Sequence, residues 1–139
     1  MEERMTYAGD LTPQQAWDLL RDDEGAVLVD VRTDGEWRTV GVPDAAQLGG
    51  RAAFVEWTTA AGPNPRFLEE LAEAGVERGR PVVFLCRSGV RSVAAAQAAT
   101  SAGYGPAYNV LQGFEGDAGP DGQRGHSGWR ADGLPWRSL

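Results

Sequence analysis

The stretch that most constrains this chain is Pro81-Val82-Val83-Phe84-Leu85-Cys86-Arg87-Ser88-Gly89-Val90-Arg91-Ser92, which runs on into Val93-Ala94-Ala95-Ala96. Five mostly apolar residues lead into the only cysteine of the protein. A short polar loop with one glycine and two arginines follows, and then a run rich in alanine. The pattern predicts a buried strand, a tight loop and the first turn of a helix. A cysteine at that junction faces backbone N–H groups and the positive end of a helix dipole, a setting that favours a thiolate and attracts anions.

The chain in order predicts what surrounds this loop. A brief strand is expected near Tyr7. Thr12-Pro13-Gln14-Gln15 opens a helix, with Thr12 and Gln15 in capping-box positions and Pro13 in the first turn. Its apolar face carries Ala16, Trp17, Leu19 and Leu20, and Asp22-Asp23-Glu24-Gly25 ends it. Ala26-Val27-Leu28-Val29-Asp30-Val31 is apolar without alternation, as in a strand covered on both faces. Thr33-Asp34-Gly35-Glu36 repeats the capping-box pattern before a short helix with Trp37. Gly41-Val42-Pro43-Asp44 predicts a turn and Ala45-Ala46-Gln47-Leu48 a short strand. A helix over about Pro65–Ala74 presents Phe67, Leu68 and Leu71, and the alanine-rich helix over Ser92–Ala102 stops at Gly103. Ala107–Leu111 predicts the last strand.

This alternation predicts an α/β fold: three layers, helices on both faces of a mainly parallel, about five-stranded sheet. In such sheets the ligand crevice lies beyond the carboxyl ends of the strands, where Asp30 and Cys86 both fall. Asp30 and Arg32 are expected to support the site, as a charge pair or a cap that fixes the turn. The length of 139 residues predicts one domain over 1–139. Its segment at about 113–128 is glycine-rich, and Trp129 and Trp136 are expected to dock the tail. His126 and Arg124 in that loop are expected to be solvated.

Composition removes several classes of function. A net charge of −7 opposes general nucleic-acid binding and gives the paired arginines beside Cys86 local meaning. One cysteine rules out an internal disulfide, and one histidine besides leaves no zinc site of the usual Cys/His kind. No apolar run approaches the roughly 18 residues of a membrane span. Met1-Glu2-Glu3-Arg4-Met5 lacks the apolar core of a signal peptide, so a cytoplasmic location is expected.

The ordered set Leu28-Val29-Asp30-Val31-Arg32, Glu36-Trp37, Val42-Pro43-Asp44-Ala45, Asn64-Pro65-Arg66-Phe67, Cys86-Arg87-Ser88-Gly89-Val90-Arg91-Ser92 and Tyr108-Asn109-Val110-Leu111-Gln112-Gly113 resembles the rhodanese-like family. The resemblance implies a sulfurtransferase that needs no cofactor and no metal. Its nucleophile would be Cys86, holding sulfur as a persulfide. Arg87, Ser88, Gly89, Val90, Arg91 and Ser92 would form the substrate-binding loop. The implied partners are a small anionic sulfur donor such as thiosulfate and a thiol, cyanide or protein acceptor. Many family members carry a histidine where this chain has Gly41, which predicts a local structural change. Cysteine-dependent phosphatases use a cysteine, five residues and an arginine, whereas four residues separate Cys86 from Arg91. Within the family the shorter loop goes with sulfur transfer. A phosphatase, an arsenate reductase without an internal second thiol, and a non-catalytic binding module are the competing readings.

Overall fold

The computed structural model describes residues 7–139. Its elements run β1 (Gly9–Leu11), α1 (Pro13–Asp22), β2 (Val27–Asp30), α2 (Asp34–Val40), β3 (Val42–Pro43), β4 (Ala52–Phe54), β5 (Thr58–Thr59), β6 (Gly62–Pro63), α3 (Phe67–Glu73), β7 (Val82–Leu85), α4 (Arg91–Ser101), β8 (Ala107–Val110) and β9 (Trp136–Arg137). Five strands form one sheet in the order β1-β8-β7-β2-β4. Every neighbouring pair in it is parallel. The α/β architecture inferred from the alternation is the one observed.

The two central strands explain their own sequences. β7 is buried at all four positions and β2 at its last three, so neither has a solvent face to alternate with. Successive side chains still point to opposite layers. Val82 and Phe84 join Phe67, Leu71, Ala95, Ala96 and Ala99 beneath α3 and α4. Val83 and Leu85 join Trp17, Leu20, Phe114 and Trp129 on the other face, beneath α1 and the C-terminal segment. Both capping boxes form: Thr12 Oγ1 accepts the Gln15 N–H at 3.1 Å and Thr33 Oγ1 the Glu36 N–H at 3.2 Å.

The brief strand expected near Tyr7 forms at Gly9–Leu11, ahead of α1. Two expectations need correction. Residues Ala46–Leu48 form a single 3₁₀ turn, and the strand expected there lies at Ala52–Phe54. Ala52-Ala53-Phe54 offers little apolar periodicity; its strand form comes from the parallel ladder with β2, in which Leu28, Val29 and Asp30 face Ala52, Ala53 and Phe54. Val42–Pro43, read as a turn, pairs antiparallel with Trp136–Arg137. Gly41 sits there at φ 109°, where an added Cβ would come within 2.8 Å of the Arg137 carbonyl. The docked tail therefore occupies the space a side chain at position 41 would need.

The glycine-rich segment is packed more tightly than its composition suggests. Phe114 and Trp129 are both completely buried. Trp129 meets Trp17 edge-on with ring centroids 5.9 Å apart, whereas Trp136 is 40% exposed and lies beside Phe114 and Arg130. The glycines permit close backbone approach: the Trp129 N–H donates to the Gly113 carbonyl at 2.8 Å and the Gly116 N–H to the Gln112 carbonyl at 2.7 Å.

Candidate active site

The strand order puts a topological switch at Cys86. After β2 the chain moves to β4 on one side, then returns to β7 on the other, so the connections diverge between the carboxyl ends of β2 and β7. Open α/β sheets bind ligands at such divergences. Asp30 is the register partner of Leu85, which brings Asp30 and Cys86 to neighbouring strand ends.

Cys86 is 1% exposed and its Sγ accepts the Gly89 N–H at 3.1 Å. Ser92 Oγ lies 3.1 Å from the same sulfur. Ser92 is not the cap of α4; the N-cap is Val90, with no side-chain capping bond. Its hydroxyl is instead directed inward, to Asn109 Oδ1. Gly89 adopts φ 102°, which turns its N–H toward the sulfur and its Cα toward the Val110–Gln112 backbone. Ser88 is half-buried, Val90 is 76% exposed at the loop tip, and Arg87 is exposed with no ion pair among the described residues.

The loop is held from beneath by the segment after β8. The Phe114 N–H donates to the Cys86 carbonyl at 2.8 Å, and the Glu115 and Gly116 N–H groups to the Arg87 carbonyl at 2.9 and 3.2 Å. Phe114 is itself clamped by Arg32, whose guanidinium carbon stands 4.1 Å from the ring centroid. Arg32 is fully buried and pairs with Asp30, Nη2 to Oδ2 at 2.6 Å and Nε to Oδ1 at 3.0 Å. Asp30 and Arg32 therefore act on the loop through Phe114, at one remove from the sulfur.

Arg91, expected in the substrate-binding loop, is paired with an acidic side chain. Its Nη1 and Nη2 make a bidentate pair with Glu36 at 2.8 and 3.0 Å. Burial alone would push the Glu36 carboxyl up, but the bonds from Arg91 and from Thr33 outweigh it and hold Glu36 down at about 2. The Arg91 guanidinium is raised in turn, by the Glu36 bond first, with smaller contributions from the charges of Cys86 and Asp30. The pair bridges α2 and α4 and fixes the first turn of the helix that follows the loop.

This pair carries a signed pH dependence. The Glu36 carboxyl falls from an ordinary 4.5 to about 2 on folding, so its stabilisation is complete above the unfolded value and is lost as pH falls from about 4.5 toward 2. With side chains 25% and 20% exposed, solvent screening reduces the contribution to about 1–2 kcal/mol. Glu36→Gln is expected to lose that amount at neutral pH and almost nothing near the acid end of the window. Urea unfolding of both proteins across the window measures it; an equal loss at both ends would contradict the ion pair as its source.

Residue-level reading of the sequence missed Asn109 as part of the site. The visible signal was a lone amide in the otherwise apolar, buried strand β8, a position that demands partners. Asp10 and the Glu36–Arg91 pairing leave no local signal, because the contacting residues lie far apart in the chain. Among the loop residues, His126 is exposed and lies 3.3 Å from Asp121, and Arg124 donates to the Gly116 carbonyl at 2.7 Å. No group of three or more metal-ligating side chains occurs among the described residues.

A family profile described as a rhodanese-like domain matches residues 12–118. The chain is 35% identical over 124 residues to the uncharacterized protein RC0915 of Rickettsia conorii, covering 88% of this chain and 92% of that one. It is 29% identical over 126 residues to the thiosulfate sulfurtransferase GlpE of Actinobacillus pleuropneumoniae, covering 91% and 90% of the two chains. The crystal structure of Rv0390 from M. tuberculosis superposes with a TM-score of 0.90 at 57% identity, over 96% of this chain and 99% of that one. On its matched sequence, its five-stranded parallel sheet and the loop that starts at Cys86, the chain belongs to the rhodanese-like family.

Proposed function

We propose that the protein is a sulfurtransferase that carries a sulfane sulfur from thiosulfate or another persulfide donor to a thiophilic acceptor through a persulfide on Cys86. The observation that carries the reading is a sulfur seated in a short loop at the N-terminus of α4, bonded by the Gly89 N–H and next to the Ser92 hydroxyl. A thiolate there attacks the outer sulfur of thiosulfate. The Sγ–S bond forms, the S–S bond of the donor breaks, and sulfite leaves with the electron pair. Cyanide or a thiolate then attacks the outer sulfur, and the Cys86 thiolate is returned with the bonding pair. No external oxidant or reductant is needed.

Four of the loop residues have a task in this reaction. Arg87, exposed beside the sulfur, draws the anionic donor. The Gly89 N–H and Ser92 hydroxyl serve charge on the sulfur. Arg91, fixed by Glu36, adds positive potential and holds the helix end in place. Four residues between Cys86 and Arg91 make a ring suited to a sulfur atom rather than a tetrahedral phosphate.

The test is mass spectrometry of the folded protein with and without thiosulfate. The expected result is a gain of about 32 mass units on Cys86, as for one sulfur captured by a thiolate, which cyanide removes and Cys86→Ala abolishes. No adduct from thiosulfate or any other persulfide donor would overturn the proposal. Aryl phosphate hydrolysis lost in Cys86→Ser would favour the phosphatase reading.

A further inference from the structure

An unbroken chain of polar side chains crosses the sheet and ends on Cys86. It begins at the edge, where Tyr7 Oη donates to Asp10 Oδ1 at 2.8 Å. Asn109 Nδ2 donates to the same oxygen at 3.0 Å. Asp10 and Asn109 are register partners on β1 and β8. Ser92 Oγ donates to Asn109 Oδ1 at 2.5 Å and reaches Cys86 Sγ at 3.1 Å. Ser92, Asn109 and Cys86 are 0%, 2% and 1% exposed, while Asp10 is exposed at the outer end.

Asp10 dictates the direction of every proton in this chain. An ionised carboxylate only accepts, so the amide of Asn109 must turn its NH₂ toward Asp10. Its carbonyl oxygen then faces Ser92 and also only accepts. The single hydroxyl proton of Ser92 is thereby committed to Asn109, and Ser92 offers a lone pair to the sulfur. Turning the amide over would set its oxygen against the Asp10 carboxylate and leave a buried group unsatisfied.

We infer that Asp10 and Asn109 are positioning residues that hold the Ser92 proton away from Cys86 Sγ until negative charge collects on that sulfur. The inference rests on the persulfide reading. In a persulfide Sγ is the inner, neutral sulfur and gains little from a donor. When the acceptor removes the outer sulfur, the S–S bond breaks and its electron pair returns to Sγ. At that moment Sγ and Asn109 Oδ1 compete for one proton, and rotation of the hydroxyl toward Sγ stabilises the departing thiolate. An interaction that strengthens as the bond breaks accelerates the step, whereas one present throughout does not.

The test uses Asp10→Asn, which keeps the side-chain shape but frees the Asn109 amide to turn. Its readout is the rate of Cys86 alkylation by iodoacetamide at a fixed near-neutral pH. Cys86 is the only cysteine, so the label is unambiguous. With the amide free, Asn109 Oδ1 no longer competes for the Ser92 proton, the thiolate receives it undivided, and alkylation is expected to quicken roughly three- to tenfold. The ultraviolet thiolate absorbance lost on alkylation should rise in parallel. The other charged groups around the loop are Arg91 with Glu36, Asp30 with Arg32 at one remove through Phe114, and Arg87; Asp10 and Tyr7 act through Asn109. Asp10→Asn also removes a negative charge, which by field alone would quicken alkylation. The Ser92→Ala background separates the two effects. There the same substitution is expected to change the rate by less than about 1.5-fold, because its route through the hydroxyl is gone. Asp10→Ser, which also gives up the carboxylate, should behave as Asp10→Asn does, and thermal melting of each variant checks its fold. Equal factors in both backgrounds, or no effect in the presence of Ser92, would overturn the inference. Iodoacetamide needs no sulfur donor, so this outcome is independent of whether thiosulfate yields an adduct.

Discussion

Gly113→Ala is expected to lower stability by about 3–5 kcal/mol and to remove most of the reactivity of Cys86 toward a sulfur donor. Gly113 sits at φ 55°, in the left-handed region where an L side chain costs roughly 1–2 kcal/mol. An added Cβ would also enter backbone, not a movable side chain: it would lie 2.6 Å from the Arg87 carbonyl carbon, 2.7 Å from its oxygen, and closer still to the Cys86 oxygen. Relief requires the Cys86–Arg87 peptide and the turn after β8 to move apart. That separation breaks the bonds from Phe114, Glu115 and Gly116 that support the loop. Displacing Cys86 also removes Sγ from its bond with the Gly89 N–H. Gly122→Ala is the matched control, with φ 77° and nothing within 4 Å of its added Cβ. It is expected to cost about 1–2 kcal/mol, the conformational part alone. Urea midpoints and the rate of adduct formation with thiosulfate, measured on both variants, decide the matter. Losses within about 0.5 kcal/mol of each other would mean that the close approach at Gly113 carries no energy of its own.

The contrast between these two glycines marks where the sequence was legible. Cys86, Gly89 and Ser92 announce themselves because the sulfur, its backbone donor and its hydroxyl neighbour lie within one turn of chain. The caps at Thr12 and Thr33 are legible for the same reason: both halves of each box are three residues apart. Contacts that cross the sheet leave no such trace. Glu36 meets Arg91 across 55 positions and Asn109 meets Asp10 across 99. Their pairing follows from strand order, which no local pattern encodes. The glycine-rich segment shows the opposite failure, in which composition misdirects. Its glycines suggest a loop with little core, yet they permit the backbone approach that buries Phe114, while Trp129 docks as expected. β4 was misplaced because it is a half-exposed edge strand whose neighbour, and not its own residues, sets its conformation.

Asp30→Ala is expected to destabilise the fold by about 3–5 kcal/mol, because it leaves the Arg32 guanidinium buried without its counter-charge. Arg32 is 0% exposed, and its remaining bond is Nη2 to the Gly41 carbonyl at 2.9 Å. Its Nη1 has no protein partner even with Asp30 present, so the site holds no reserve acceptor. The double change Asp30→Ala with Arg32→Met removes the stranded charge and restores apolar bulk against Phe114. Replacement of a buried pair by apolar side chains is often close to neutral, so the double variant should recover to within about 2 kcal/mol of the parent. A double loss equal to the sum of the single ones would contradict this account. Activity separates charge accounting from loop support. Methionine cannot supply the guanidinium that lies over the Phe114 ring, and Phe114 carries the N–H that holds the Cys86 carbonyl. Stability should therefore return in the double variant while adduct formation with thiosulfate stays several-fold slower than in the parent. If the rate recovers along with stability, Arg32 serves only to neutralise Asp30. If it does not, the buried pair is the far end of the lever that aims Cys86.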